Sequence, residues 1–268
     1  MNKCKIRYEE NIINNKLNFK ERLKAGEHLI GSWIMFTDPC VTEVMAGAGF
    51  DFLIVEMEHS AQNLETVQRH IIAMKGTNTT PIVRVPWNDP VMIKQVLDMG
   101  TAGILVPQVR TAEEAKQAVS SCLYPPEGIR GFGPRRPGGY ERNYKEYIKT
   151  ANKNIVIFIQ LEHIDAVNNI DKILNVAGID AICIGQCDLS GSLGLLGDIN
   201  HPKVIKAVET IIAKSNKAKI PVGHMVGIDV DKACEWIKKG VQFVAIGSDM
   251  SYLVKTTDDT VAQLRKLL

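Results

Sequence analysis

IVIFIQLEHIDAVNNIDKILNVAGIDAICIGQCDLSGSLG, residues 155–194, holds two short apolar runs on either side of an amphipathic segment. The first run, Ile155–Leu161, closes on Glu162. The second, Ala181–Gly185, is followed by Asp188. Between them, Ala166–Val176 carries apolar residues at helical spacing. Strand, helix, strand is the repeating unit of a parallel α/β fold, whose chemistry sits at the carboxyl ends of the strands. Two acids delivered there from neighbouring strands can grip a divalent cation, because hard cations select oxygen ligands.

The same alternation runs along the chain. Eight short β-like runs occur: Leu29–Met35, Phe52–Met57, Pro81–Val85, Gly103–Pro107, Ile155–Leu161, Ala181–Gly185, Pro221–Met225 and Phe243–Gly247. Helix-period segments separate most of them: Cys40–Ala48, Leu64–Lys75, Val91–Met99, Ala112–Leu123, Ala166–Val176, Pro202–Lys217 and Val230–Lys239. Phe19–Ala25 reads as a short helix before the first strand, and about Asp258–Leu268 as a last one. Eight such units predict an α/β fold of the (β/α)8 TIM-barrel type, with an open doubly wound sheet as the runner-up. No GxGxxG follows the first strand, which weighs against a dinucleotide-binding sheet.

The expected organisation is a polar extension over 1–18 and one barrel domain over 19–268, with an inserted loop at about 124–150. That loop is rich in Pro and Gly and clusters Arg130, Arg135, Arg136 and Arg142. It reads equally as a solvated loop or as a lid or subunit-bridging segment whose arginines meet an acidic substrate.

Composition narrows the function. The chain has 268 residues, 32 basic against 30 acidic, so no bulk charge invites nucleic acid. Six scattered cysteines without a CxxC pair fit a reducing compartment. The polar N-terminus lacks the apolar stretch of a signal peptide or membrane span, so the expectation is a cytoplasmic protein with no membrane partner.

Polar residues at the carboxyl ends of apolar strands are the candidates for chemistry. Strand two ends in Glu56, Glu58 and His59; strand three carries Arg84; strand five carries Gln160 and Glu162; Asp188 follows strand six. A period of two puts Gln160 and Glu162 on one side with Val156 and Phe158. Glu162 and Asp188 read as metal ligands, or more plainly as ion-pair partners or helix caps. His59 reads as a general base or a structural histidine. The charge of Arg84 must meet a buried acid or an anionic substrate.

VEMEHS (55–60), VRVPWNDP (83–90), IKQVLDMGTAGILVPQV (93–109), YPPEGIRGFG (124–133), IQLE (159–162) and GQCDLSGSLG (185–194) stand in the order found in one family. The chain resembles the 4-hydroxy-2-oxoheptanedioate aldolase / 2-dehydro-3-deoxyglucarate aldolase family, the metal-dependent class II pyruvate aldolases, from about Leu29 to Gly247. The resemblance implies a barrel of the phosphoenolpyruvate/pyruvate type with Mg²⁺ or Mn²⁺ (Co²⁺ is possible) on Glu162 and Asp188. It implies pyruvate held by that ion, Arg84 and Gln160, with Cys187 and Asp188 also lining the substrate. His59 would be the acid/base residue and Asp98 its support. It further implies a homo-oligomer, a hexamer built as a trimer of dimers, with the last helix swapped between subunits and the Arg130 loop completing a neighbour's site. Glu56 stands where the family often has Asp, which puts the orientation of His59 in question. Arg135, Arg136, Tyr140, His224 and Met225 are expected where the second substrate is selected.

The expected reaction is reversible cleavage of a 4-hydroxy-2-oxo acid to pyruvate and an aldehyde. A base takes the hydroxyl proton, and a cation with an arginine steadies the enolate. No predicted strand end carries a lysine, so an imine route is not favoured. Two alternatives stand beside it: related enolate chemistry on an acyl-CoA or oxaloacetate, and a non-catalytic barrel that binds a keto acid.

Overall fold

The computed structural model describes residues 18–268. The extension read over 1–18 therefore lies outside the described residues, except Asn18, which caps the first helix. The strands are β1 Leu29–Ile34, β2 Phe52–Glu56, β3 Thr80–Arg84, β4 Gly103–Val106, β5 Val156–Leu161, β6 Ala181–Ile184, β7 Val222–Val226 and β8 Phe243–Ser248. The helices before β5 are α1 Phe19–Lys24, α2 Pro39–Gly47, α3 Leu64–Ala73, α4 Pro90–Asp98, α5 Ala112–Cys122 and α6 Tyr144–Asn154. Then follow α7 Ile164–Asn168, α8 Ile170–Leu174, α9 Gln186–Ser192, α10 Pro202–Lys217, α11 Val230–Lys238 and α12 Asp249–Leu267. The eight parallel strands close in chain order into a (β/α)8 barrel, β8 pairing with β1.

Alternation along each strand sorts its residues into two cores. Phe52, Ile54, Ile82, Val156, Phe158, Ala181, Cys183, Phe243 and Ala245 fill the barrel interior. The intervening residues, such as Ile157, Ile159 and Leu161 of β5, join Ala115, Ile170 and Ile173 in the shell beneath the helices. Burial of each such side chain contributes about 1.5–3 kcal/mol. Three phenylalanines occupy the lower interior, with Phe52 and Phe158 edge-on to Phe243 at 6.1 and 5.6 Å between ring centroids. Glycine makes room for them. A Cβ on Gly31 would lie 2.3 Å from the Phe52 ring, and one on Gly223 2.0 Å from Phe243. From below, Phe19 of α1 packs on Phe52 and Phe158 and stops the N-terminal end of the barrel.

Three elements differ from the sequence expectation. The helix expected over Ala166–Val176 is two short helices, α7 and α8. Asn169 between them leaves helical geometry (φ −95°, ψ 3°), and its side chain donates to the Arg110 carbonyl. The last helix begins at Asp249 rather than Asp258, where Ser248 and Ser251 form a capping box. The inserted loop contains α6, and it lies at the N-terminal end of the barrel because α5 carries the chain there. Arg130 is buried in an ion pair with Asp98 (2.8 Å) and stacks on Tyr124 (4.3 Å). Arg136 donates to the carbonyls of Met99 and Ile71. The loop is thus no lid over its own chain's strand ends.

Candidate active site at the carboxyl ends of the strands

The interior register that places phenylalanines below places polar residues above. On β2 the inward series Phe52, Ile54 continues to Glu56, and on β3 Ile82 continues to Arg84; Glu56 and Arg84 are register partners. On β5 the series Val156, Phe158 reaches Gln160 and then Glu162. On β1 it reaches Trp33.

Glu56 is fully buried. One carboxylate oxygen accepts from the backbone N–H groups of Glu58 (2.5 Å) and His59 (3.0 Å). The other pairs with Arg84, accepting from Nε at 2.6 Å and contacting Nη2. The extra methylene relative to Asp therefore reaches the arginine and the backbone that carries His59, not the His59 ring. Arg84 also lies 3.2 Å from Glu58, donates to Gln160 (3.4 Å) and stacks on Trp33 at 4.5 Å. A guanidinium so held is fixed in direction before any ligand arrives.

Glu162 is buried and accepts from the backbone N–H of Gln108 (2.7 Å) and from Gln160 Nε2 (2.5 Å). Gln108 takes a left-handed backbone (φ 57°) to aim that N–H. Burial pushes the Glu162 carboxyl up to about 7, against the pull of the Gln108 N–H, and the charges of Glu58 and Asp188 push it further. Glu58 is likewise raised to about 7 by burial, with Arg84 opposing and Glu56 and Asp188 adding to the rise. Asp188 stands in the first turn of α9, exposed to the cavity, rather than capping a turn as one sequence reading had it. An acid there is favoured by the helix dipole. His59 lies at the rim with its side chain 59% exposed, and its Nε2 is 3.7 Å from Glu58.

These residues border a cavity of about 680 Å³ whose lining includes Trp33, His59, Arg84, Gln160, Cys187 and Asp188. Its far side is formed by Met225, Gly227, Asp229, Lys232 and Trp236. Among the described residues no group of three or more His, Cys, Asp or Glu side chains converges as a protein-only metal cage. Glu162 and Asp188 nonetheless suit a hard cation that completes its shell with water and a chelating acid. Glu162 accepts from amides, and its tendency to hold a proton is what a nearby divalent cation would reverse. Gly185 keeps that space open, since a Cβ there would sit 2.4 Å from Glu162 Oε2 and 2.9 Å from Gln160 Nε2.

The structure thus brings together His59, Arg84, Gln160, Glu162, Cys187 and Asp188. It does not bring Asp98 to them within one chain. Asp98 ends α4 at the opposite barrel end, paired with Arg130. Arg135, Arg136 and Tyr140 belong to that end as well, because their loop follows α5 downward. Met225 does line the mouth, whereas His224 points outward, buried and stacked on Trp236 at 4.8 Å. Trp33 escaped the sequence reading, although its inward parity with Leu29 and Gly31 was available. The Gln108 N–H left no sequence signal, because a backbone donor has none.

Residues 29–256 match the family described as HpcH/HpaI aldolase/citrate lyase. The chain belongs to this family. It is 38% identical over 248 residues to 5-keto-4-deoxy-D-glucarate aldolase of Klebsiella pneumoniae subsp. pneumoniae, covering 92% of this chain and 96% of that protein. Among solved structures it is similar to an HpcH/HpaI aldolase/citrate lyase family protein from Burkholderia cenocepacia, at 30% identity and a TM-score of 0.88, covering 92% of this chain and 98% of that one. It is also similar to the citrate synthase SbnG, at 30% identity and a TM-score of 0.84, covering 93% and 98%. The family named from sequence motifs is the family found, and the expectation of a carbon–carbon lyase agrees with the family description and with the aldolase relative.

Proposed function

We propose that this protein cleaves a 4-hydroxy-2-oxo acid reversibly to pyruvate and an aldehyde, with Glu162 and Asp188 holding a divalent cation, Mg²⁺ or Mn²⁺. The observation that carries the reading is that Arg84, Gln160 and Asp188 line one cavity at the strand ends, with Glu162 buried behind Gln160 and Gly185 of that lining. When bound, the cation supplies positive charge for the oxygen that turns negative as the carbon–carbon bond breaks. Arg84, locked by Glu56, donates to the same end of the substrate. Gln160 ties Glu162 to Arg84 through its two amide atoms. His59 takes the proton from the C4 hydroxyl as C3–C4 breaks, and C3 is then protonated to give pyruvate. Trp33 and Met225 line the same cavity beside Arg84 and Gln160.

The cavity holds Lys232 on α11 and no lysine on a strand, so an imine route gains no support. The likeness to a citrate synthase keeps acyl-CoA or oxaloacetate as a second electrophile to test.

Assembly enters the same reading. From Leu253 onward every residue of α12 is exposed, including Leu253, Val254, Val261 and Leu264 at helical spacing. A helix with that face uncovered suits exchange with a second copy. Any support of His59 by Asp98 must likewise come from a neighbouring subunit, as in a trimer of dimers.

The test is to incubate the purified protein with pyruvate, Mg²⁺ or Mn²⁺ and a panel of aldehydes, acetyl-CoA and oxaloacetate, and to identify products by mass. Metal-dependent aldol products are expected. Full activity in chelator overturns the metal assignment.

A further inference from the structure

A second cavity, of about 550 Å³, opens at the opposite end of the barrel, beneath the starts of β3, β4 and β5. It shares no lining residue with the strand-end cavity, and the phenylalanine layer of the lower barrel separates the two. No step of the proposed reaction uses it.

The charge of its lining is one-sided. Lys20, Arg22, Lys75, Arg130 and Arg136 border it, and among the described residues no Asp or Glu does. Three of these cations are matched by acids set behind the wall. Lys20 pairs with Asp180 at 2.8 Å, Arg22 with Glu27 and Asp51 at 2.8 Å each, and Arg130 with Asp98 at 2.8 Å. Arg136 and Lys75 have no such match among the described residues. Arg136 donates to the carbonyls of Met99 and Ile71, which orient a guanidinium without cancelling its charge. Gly100 leaves room for it, since a Cβ there would lie 3.0 Å from Arg136 Nη1. Lys75 is exposed in the turn after α3.

Arg130 adds a missing hydrogen bond. Its side chain is 2% exposed, and Nη2 is spent on Asp98. Its Nε is buried with no acceptor among the described residues. A buried donor without a partner is costly, and native structures seldom keep one. A ligand oxygen inside the cavity that Arg130 lines is the acceptor it lacks. The lining also includes Phe19, Met74, Leu97 and Pro137, apolar surface that suits an organic body rather than a bare ion.

The structure assigns to this cavity a binding site for a small organic dianion, a phosphate monoester, held by Arg136, Lys75 and the free N–H of Arg130. The two unmatched cations balance the charge of about −1.5 to −2 that such a phosphate carries at neutral pH, which a single carboxylate does not. Guanidinium groups are also the donors best shaped for phosphate oxygens. A ligand there joins the turn after α3 to the inserted loop, so its binding stabilises the folded chain by mass action. The site is independent of the strand-end chemistry.

The experiment is calorimetric titration of the metal-free protein at pH 7.5 with phenyl phosphate, inorganic phosphate and benzoate, with thermal unfolding alongside. Phenyl phosphate should bind saturably and raise the melting temperature. Benzoate, with the same ring and one charge, should bind at least about ten-fold more weakly, the worth of one charge-assisted hydrogen bond. Arg136→Gln should weaken phenyl phosphate about ten-fold or more. Lys75→Gln should weaken it about three-fold, and because Lys75 is exposed and without an ion pair, this variant keeps the test open if Arg136→Gln fails to fold. Arg135→Gln, in the same loop but outside the lining, should bind as wild type does. No saturable binding of phenyl phosphate, wild-type affinity in Arg136→Gln and Lys75→Gln, or an equal loss in Arg135→Gln overturns the site. Benzoate binding as tightly overturns the dianion, and inorganic phosphate binding as tightly overturns the organic body.

Discussion

Replacing Glu56 by glutamine keeps the shape of the side chain and removes its charge. The consequence can be worked from its four contacts. Two backbone N–H groups, of Glu58 and His59, still find the amide oxygen. The other half of the group then presents an NH₂ to Arg84 Nε and Nη2, donor against donor. Arg84 is buried to 11% exposure, so its charge loses a partner it cannot replace with bulk water. Breaking a buried pair in this way costs about 3–5 kcal/mol. Glu58, 3.2 Å from Nη1, is the nearest substitute and holds the loss towards the lower figure. In a domain of this size the melting temperature should fall by about 6–20 °C. Glu56→Asp keeps the charge but retreats by a methylene, and should cost less. The assay is urea and thermal unfolding of wild type and both variants at pH 7.5 without metal, with pyruvate binding measured alongside. A Glu56→Gln protein within about 1 kcal/mol of wild type would refute the claim that this pair organises the mouth of the barrel.

Gly185→Ala drives a methyl into Glu162 Oε2 and Gln160 Nε2, so affinity for Mn²⁺ should drop at least about ten-fold by calorimetry, with a smaller change in stability. His59→Ala should keep pyruvate binding and lose about 10²–10⁴ in turnover, read from steady-state rates. Glu162 is raised to about 7 from an ordinary 4.5 in the metal-free protein. A raised carboxyl stabilises the fold at low pH and loses that contribution as pH rises through about 7. Apo protein should therefore lose stability from pH 4.5 to 7, and metal affinity should climb over the same window. A flat Mn²⁺ titration from pH 5.5 to 8 would contradict this. Deleting residues 253–268 should shift the protein to smaller species by light scattering if α12 is the exchanged element.

The barrel was readable because its signal is periodic. Eight apolar runs with helices between them leave few other closures, and strand parity alone places Phe158, Gln160 and Glu162 in successive interior layers. The site was readable to the extent that it sits on strands. Glu56, Arg84 and Glu162 follow from parity, and the place of Asp98 follows from the fold itself: in a (β/α)8 barrel each helix runs back against its strand, so the end of α4 lies at the face opposite the strand ends, against the role the resemblance implied. The Arg130 loop misleads when its arginines and glycines are read for chemistry alone, since a loop that follows a helix and precedes a strand sits at the N-terminal face of such a barrel. Gln108 acts through its N–H alone, and Asn169 breaks a helix by a side-chain bond to a carbonyl 59 residues away. Neither kind of contact is written in local pattern.

The phenylalanines and the polar residues share strands but have separate neighbours. Phe158 and Glu162 are on one strand, yet the first is wedged among Phe19 and Phe243 and the second among amides and carboxylates. Structural credit and chemical risk are thus kept in different storeys of one building. A lineage carrying this scaffold can try new linings on the upper floor, at Cys187, Met225 or Lys232, without disturbing what keeps the walls upright. The same arrangement marks where a protein engineer can randomise residues and still expect folded protein.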